Sequence, residues 1–352
     1  MFNIINCEMP DCRYVFRKFA GIGATWLRHV HPYDVLFGGK DDKKRAGWSI
    51  KAVDNYIERS KAAPLSVSIS CGCDNITEDV EPNRDAVERI LKKLLDHQHR
   101  WRQAYFTFSR WGTSRPPKIE LLDVPILETF SIYWMSGALS HARQVYIDTS
   151  RSAKLRSLHI GGRPHIESRD GNLSSVTEVT CLDNPIYRRR RVPLLEVIQQ
   201  APNLESLKFF CDSSERDGNL QYPLTSLCKL RTLEVDNSIN SAFMISKLIL
   251  PILSHLICHW ANSGCRVKKL PDIFRTPLPS VEYLDLVELS EVDDRLTPFI
   301  RLLPNLKSLR MIGIGITPSF FDVLSVNETP INYFQPRKSC RALPRKSSLY
   351  LE

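Results

Sequence analysis

Along this chain one short hydrophobic phrase keeps returning: an apolar residue, two free positions, an apolar residue, one free position and a third apolar residue. It reads Leu127–Phe130–Ile132, Leu155–Leu158–Ile160, Val176–Val179–Cys181 and Leu204–Leu207–Phe209. It continues as Leu230–Leu233–Val235, Leu253–Leu256–Cys258, Val281–Leu284–Leu286 and Leu306–Leu309–Met311. The first members lie 21 to 28 residues apart. A spacing of that size accommodates one strand and one return segment per unit, stacked on the next unit along an axis.

That period is the one of leucine-rich repeats. The expected fold is therefore α/β: a leucine-rich-repeat solenoid with a curved parallel sheet, irregular helical or loop returns, and a small helical N-terminal cap. The organisation divides into 1–46 as a helical cap, 47–326 as the solenoid, and 327–352 as a basic tail with no apolar face. The tail's composition reads as disordered.

Ahead of the array, Ile50, Val53, Tyr56 and Ile57 mark one face of a short helix that ends near Ser60, before Pro64. Leu65, Val67 and Ile69 alternate as a strand, and Asn83 is placed to cap a helix carrying Val87, Ile90, Leu91, Leu94 and Leu95. Trp101–Phe108 repeats the phrase as Trp101, Ala104 and Phe106. Among the returns, Val192–Gln200, Ala242–Leu250 and Leu296–Leu303 have helical period, with Pro193 in a first turn where its missing N–H costs least. Gly161–Gly171 reads as an irregular loop. The Asn that closes the turn of a regular repeat occurs only as Asn184, so curvature should be uneven. The N-terminal helices and the tail are the candidate caps for the two open sheet edges.

Composition then narrows the class. With 43% hydrophobic and 25% charged residues the chain is an ordinary globular sequence, and no apolar run is long enough to span a membrane. No signal peptide opens it. Ten cysteines are scattered, with Cys181 and Cys258 at repeat core positions, which fits a reducing cytoplasm or nucleus better than a disulfide scaffold. The net charge of +9 resides mainly in Arg188–Arg191 and in the tail cations Arg337, Lys338, Arg341, Arg345 and Lys346. A loop and a tail do not make a basic groove, so nucleic acid is not the expected partner.

No phosphate loop, nucleophile elbow or zinc-protease motif occurs, and the expectation is a non-enzyme without cofactor or metal. Cys7, Cys12, His29 and His31 have a His–His spacing that misses the three-to-five gap of a zinc finger, and Cys71 and Cys73 lack a second pair. His97 and His99 lie at a helix end, where the dipole favours a cation.

What remains is a surface. Alternation along each strand turns one column outward at Ser131, His159, Thr180, Lys208, Glu234, Ile257, Asp285 and Arg310. A second column holds Tyr283 and His255, and a third holds Tyr133, Phe210 and His259. Aromatic anchors beside charges suit a protein-binding face. The candidate residues on this concave face are Tyr133, His159, Lys208, Phe210, Glu234, His259, Tyr283, Asp285 and Arg310. At the leading position of each unit, Glu205 with Arg231 and Glu282 with Lys307 are expected as structural cross-rung charge pairs.

Two stretches carry a family likeness. Val53 to Ile69 reads V-D-N-Y-I-E-R-S-K-A-A-P-L-S-V-S-I, and His97 to Arg102 reads H-Q-H-R-W-R. After them come rungs of the form P-x-L-E-x-L at Pro125–Phe130, Pro202–Leu207, Pro279–Leu284 and Pro304–Leu309. In order and spacing, residues 48–326 resemble the F-box/leucine-rich-repeat proteins of mushroom-forming fungi. The resemblance implies a substrate-recognition subunit of a Skp–cullin–F-box ubiquitin ligase, with a substrate protein held on the concave face. The stretch Val15–Ile22 resembles the last helix of the F-box, so Val15, Phe16, Phe19 and Ile22 are its implied adaptor-docking remnant. The alternative is a repeat scaffold that has lost its F-box and has no ligase role.

Overall fold

The computed structural model describes residues 2–3, 42–71, 84–108, 118–134, 143–162, 164–168, 172–182, 193–210, 223–236, 241, 244–259, 278–287 and 296–312. Residues 4–41 of the expected N-terminal cap, with Val15, Phe16, Phe19 and Ile22, the positions of Asn83, Asn184 and Arg188–Arg191, and the tail lie outside these residues.

The elements alternate between strands and returns. They begin with β1 (Phe2–Asn3), α1 (Asp42–Ser60), β2 (Leu65–Cys71), α2 (Arg84–Leu95), β3 (Trp101–Phe108) and β4 (Ile119–Leu121). Next are β5 (Thr129–Trp134), β6 (Arg143–Ile147), β7 (Ser157–Gly162), β8 (Pro164–Ser168), β9 (Glu178–Leu182), α3 (Pro193–Gln200) and β10 (Ser206–Phe209). The array closes with β11 (Thr225–Ser226), β12 (Thr232–Asp236), β13 (Leu248–Ile249), β14 (His255–His259), β15 (Tyr283–Val287), α4 (Leu296–Arg301) and β16 (Ser308–Ile312).

One sheet takes eleven strands in the order β1-β2-β3-β5-β7-β9-β10-β12-β14-β15-β16. Its described pairings are all parallel, and each new strand is added beside the one before. The chain is thus a parallel β-solenoid. Register follows the phrase: Leu207 stands opposite both Val179 and Leu233, and Phe209 opposite both Cys181 and Val235. Inward columns therefore stack like on like. Every member of the first seven triplets is buried. On the last rung Leu309 and Met311 are only partly covered, as expected where no described strand follows.

The first apolar residue of each triplet is not in the strand. It ends a four-residue turn: Leu127, Leu155, Val176, Leu204, Leu230, Val281 and Leu306 each donate their N–H to the carbonyl three residues back, at 2.9–3.2 Å. Pro125, Pro202, Pro279 and Pro304 occupy the second turn position, where a fixed φ near −65° is already correct. Asn203 and Asn305 follow at the third and reach across to the preceding turn, donating to Ser174 and Pro279 carbonyls at 2.7 Å each. The P-N-L phrase is a turn that stitches itself to its neighbour.

A second stitch lies one residue later. The Glu128 carbonyl accepts from both Arg156 and Ser157 N–H, at 2.9 and 3.1 Å, and the same double acceptance recurs at Arg156, Thr177, Glu205, Arg231, Ser254 and Glu282. Side chains add to it at Lys307–Glu282 and Arg102–Glu128, both 2.7 Å. Glu205 and Arg231 are joined there through the backbone instead, Arg231 N–H donating to the Glu205 carbonyl at 2.9 Å.

The returns depart from expectation in two places. The segment 161–171, read as an irregular loop, contributes strand β8, which pairs with β6 in a second parallel sheet of order β4-β6-β8. Ile119, Leu121, Val145, Ile147 and Ile166 from that sheet are buried. The return 242–250, read as helix, keeps helical backbone at Ser241 and Met244–Ile245 and then turns into β13, which pairs with β11. In both cases a partner strand on the adjacent return offers hydrogen bonds that local period does not reveal. Helices α3 and α4 lie within the expected stretches, and α1 starts at Asp42, ahead of the apolar period that marks it.

Candidate functional site

The outward columns are those that alternation demands. Tyr105, Ser131, His159, Thr180, Lys208, Glu234, Ile257, Asp285 and Arg310 stand opposite one another through nine consecutive strands. Thr129, Ser157, Glu178, Ser206, Thr232, His255, Tyr283 and Ser308 form the adjacent column. Neighbouring strands are about 4.8 Å apart, so side chains on adjacent rungs meet directly.

Four of the expected residues close into one cluster. Lys208 Nζ donates to Glu234 Oε1 at 2.6 Å, and His259 Nε2 lies 2.7 Å from the same oxygen. The Lys208 ammonium also sits 5.0 Å from the centre of the Phe210 ring, whose edge meets His259 at a centroid distance of 4.9 Å. Glu234 is thus the hub. Opposite charges on adjacent strands contribute about 0.2–1 kcal/mol per pair, and a cation over an aromatic face about 0.5–1 kcal/mol.

A second cluster repeats the plan two strands on. Asp285 Oδ2 lies 3.3 Å from His255 Nε2 and 3.7 Å from Arg310 Nη1. The His255 ring meets Tyr283 edge to face at 6.1 Å. Both histidines come from β14, four residues apart, and each engages a carboxylate on a different neighbouring strand. His255 was placed in the outward column by alternation but was not among the candidate residues. The signal for it was its position diagonal to Asp285, on the neighbouring strand.

The remaining candidates stand apart from these clusters. His159 is more than half buried between the Ser131 and Thr180 strands; burial holds its pKa below the ordinary histidine value, with Glu178 opposing. Glu178 in turn accepts from Ser157 Oγ at 2.8 Å. Tyr133 lies against Gly161 on the next strand, where any Cβ would overlap its ring. The glycine leaves the space that the ring fills. Tyr105 extends the outer column one strand further and is little more than a third exposed; partial burial of its phenol raises its pKa. The repeat phrase at Trp101, Ala104 and Phe106 was the signal for Tyr105, once the outward offset is applied to β3.

Among the described residues no group of three or more His, Cys, Asp or Glu side chains is arranged to hold a metal ion. No described helix is long and apolar enough to cross a membrane. Cys181 and Cys258 are buried thiols, and burial pushes the Cys258 thiol up to about 12. The geometry defines a solenoid with one ordered, side-chain-rich sheet face. No family model, curated protein or solved structure matches the chain.

Proposed function

We propose that this chain is a leucine-rich-repeat protein of the F-box type, which holds a substrate protein on the outer sheet face for a Skp–cullin ubiquitin ligase. The observation that carries the binding half is the pair of clusters on β10 to β16, where Lys208, Phe210 and Tyr283 are positioned by their neighbours and Arg310 stands beside Asp285. Preorganised aromatic and cationic side chains lose little freedom when a partner docks, which is what a recognition surface needs. The ligase half is supported by the sequence likeness over 48–326 and by Val15, Phe16, Phe19 and Ile22. The protein acts by binding, in the cytoplasm or nucleus, and catalyses nothing itself.

The test is co-precipitation of the full chain with a purified Skp adaptor. A truncation that begins at Asp42 keeps α1 whole and removes the proposed docking segment. Retention of the full chain and loss on truncation is the expected result. Failure of both to bind the adaptor would overturn the ligase reading and leave a repeat scaffold that binds proteins without that role.

A further inference from the structure

The row that crosses the outer face from β10 to β16 reads Lys208, Glu234, Ile257, Asp285, Arg310, and it is palindromic in charge. Ile257 stands at the centre. On each side lies a carboxylate, then a cation, and each carboxylate is also engaged by a histidine of β14. The two halves differ from their formal sum in what they show to solvent. The carboxylates are the sunken members, Glu234 at 19% and Asp285 at 17% side-chain exposure, whereas Lys208 keeps 34% and Arg310 66%. The anions act as internal counterions and the cations face outward.

Arg310 approaches Asp285 at 3.7 Å, longer than a hydrogen bond, so its planar fork retains donors for a carboxylate from outside. Lys208 is steadied over Phe210 with one contact to Glu234 and has further N–H donors. Four strand spacings separate the two cations, about 19 Å. An extended peptide covers that distance in about six residues. Half-buried Ile257 lies midway, within reach of the side chain two or four residues after the first acid, which alternation puts on the same side as both ends, and exposed Tyr283 is beside it on the next strand.

Resting on the reading of this face as a protein-binding surface, we infer the class of its partner. The face takes an extended segment of another protein, laid along the solenoid axis, with two acidic side chains about six residues apart and an apolar side chain between them. The acidic groups meet Lys208 and Arg310, and the apolar group packs on Ile257. Charge complementarity selects the ends and spacing selects the register.

The probe is a fluorescein-labelled peptide of Gly and Ser with Glu at both ends of a six-residue step and Leu four residues after the first Glu, on the same side as both, titrated into the full chain by anisotropy. Companions carry a step of three residues, Lys in place of either Glu, or Ser in place of Leu. The six-step peptide is expected to bind on the order of tenfold more tightly than each companion. Arg310→Glu should lose that advantage and regain it for the peptide with Lys at one end only. Lys208→Gln should weaken binding of the six-step peptide and lose its preference over the companion with Lys at the end that Lys208 meets, and Lys51→Glu, on α1, should change nothing. A thermal melt of each variant separates lost binding from lost fold, and exposed Arg310 is the variant least able to disturb the core. Equal binding of all peptides, no binding of any, or competition by an oligoribonucleotide as effective as the peptide would overturn the inference. None of these outcomes alters adaptor co-precipitation, so the ligase reading is judged separately.

Discussion

The Arg100 guanidinium donates to Ser60 Oγ at 2.5 Å, joining the C-terminus of α1 to the start of β3 across forty residues of chain. The same guanidinium donates to the Ala63 carbonyl from Nη2 at 2.9 Å and from Nε at 3.2 Å. Ser60 Oγ in turn donates to the Ile57 carbonyl at 2.7 Å. The buried Arg100 cation stands at the C-terminal end of α1, where it binds the Ser60 hydroxyl and the Ala63 carbonyl just beyond the helix and faces the negative pole of the helix dipole. Ser60 belongs to the R-S-K-A-A-P-L stretch and Arg100 to the H-Q-H-R-W stretch, so these two stretches of sequence are in contact.

Replacing Arg100 should therefore cost more than a surface charge. Arg100→Met leaves the Ala63 carbonyl without its donor, and we expect a loss of about 2–4 kcal/mol. Arg100→Lys should recover only part of that, because an ammonium cannot serve Ser60 and Ala63 with the same fork. Urea titration of the three proteins, read by circular dichroism, decides it; equal stabilities would remove Arg100 from the account.

His159 makes stability depend on pH in a definite direction. Burial depresses its folded pKa below the ordinary 6.5, so the folded protein sheds the proton that the unfolded chain keeps. Its contribution is full above pH 6.5 and is lost as the pH falls from there toward the depressed folded value. His97, lowered chiefly by burial and then by Arg100, has the same sign. His159→Gln should flatten the decline of unfolding free energy between pH 7 and pH 5 relative to the parent. A steeper decline in the variant would contradict the burial argument.

Gly161 and Tyr133 should behave as one unit. A methyl at Gly161 occupies the position of the Tyr133 ring, so Gly161→Ala should destabilise by about 1–3 kcal/mol. Tyr133→Ser removes the obstacle, and in that background the glycine substitution should be nearly neutral. A double-mutant cycle measures the coupling, and additive effects would mean that the ring is not what fills the space.

The thiols should separate by burial. Cys258, pushed up to about 12, and buried Cys181 should resist alkylation of the native protein at pH 8, whereas exposed Cys228 reacts. Peptide mass spectrometry after timed iodoacetamide treatment gives the three rates. Native labelling of Cys258 as fast as Cys228 would show that its rung opens.

Much of this was readable before any coordinates. Parallel strands that stack in register and side chains that alternate are local rules, so the repeated phrase by itself fixed the solenoid, the inward columns headed by Leu207 and Phe209, and the outward column from Ser131 to Arg310. It also marked Tyr283 and Phe210 as outward aromatics. Tertiary structure decided the rest, because it depends on what lies across a gap in sequence. Strand β8 exists because β6 offers it a partner. Glu234 became a hub because His259 reaches it diagonally from the next rung, in addition to Lys208 directly opposite it. Arg100 found Ser60 because the first helix and the third strand of the sheet fold against each other, and only then did a charged residue in a short motif acquire a reason to be buried.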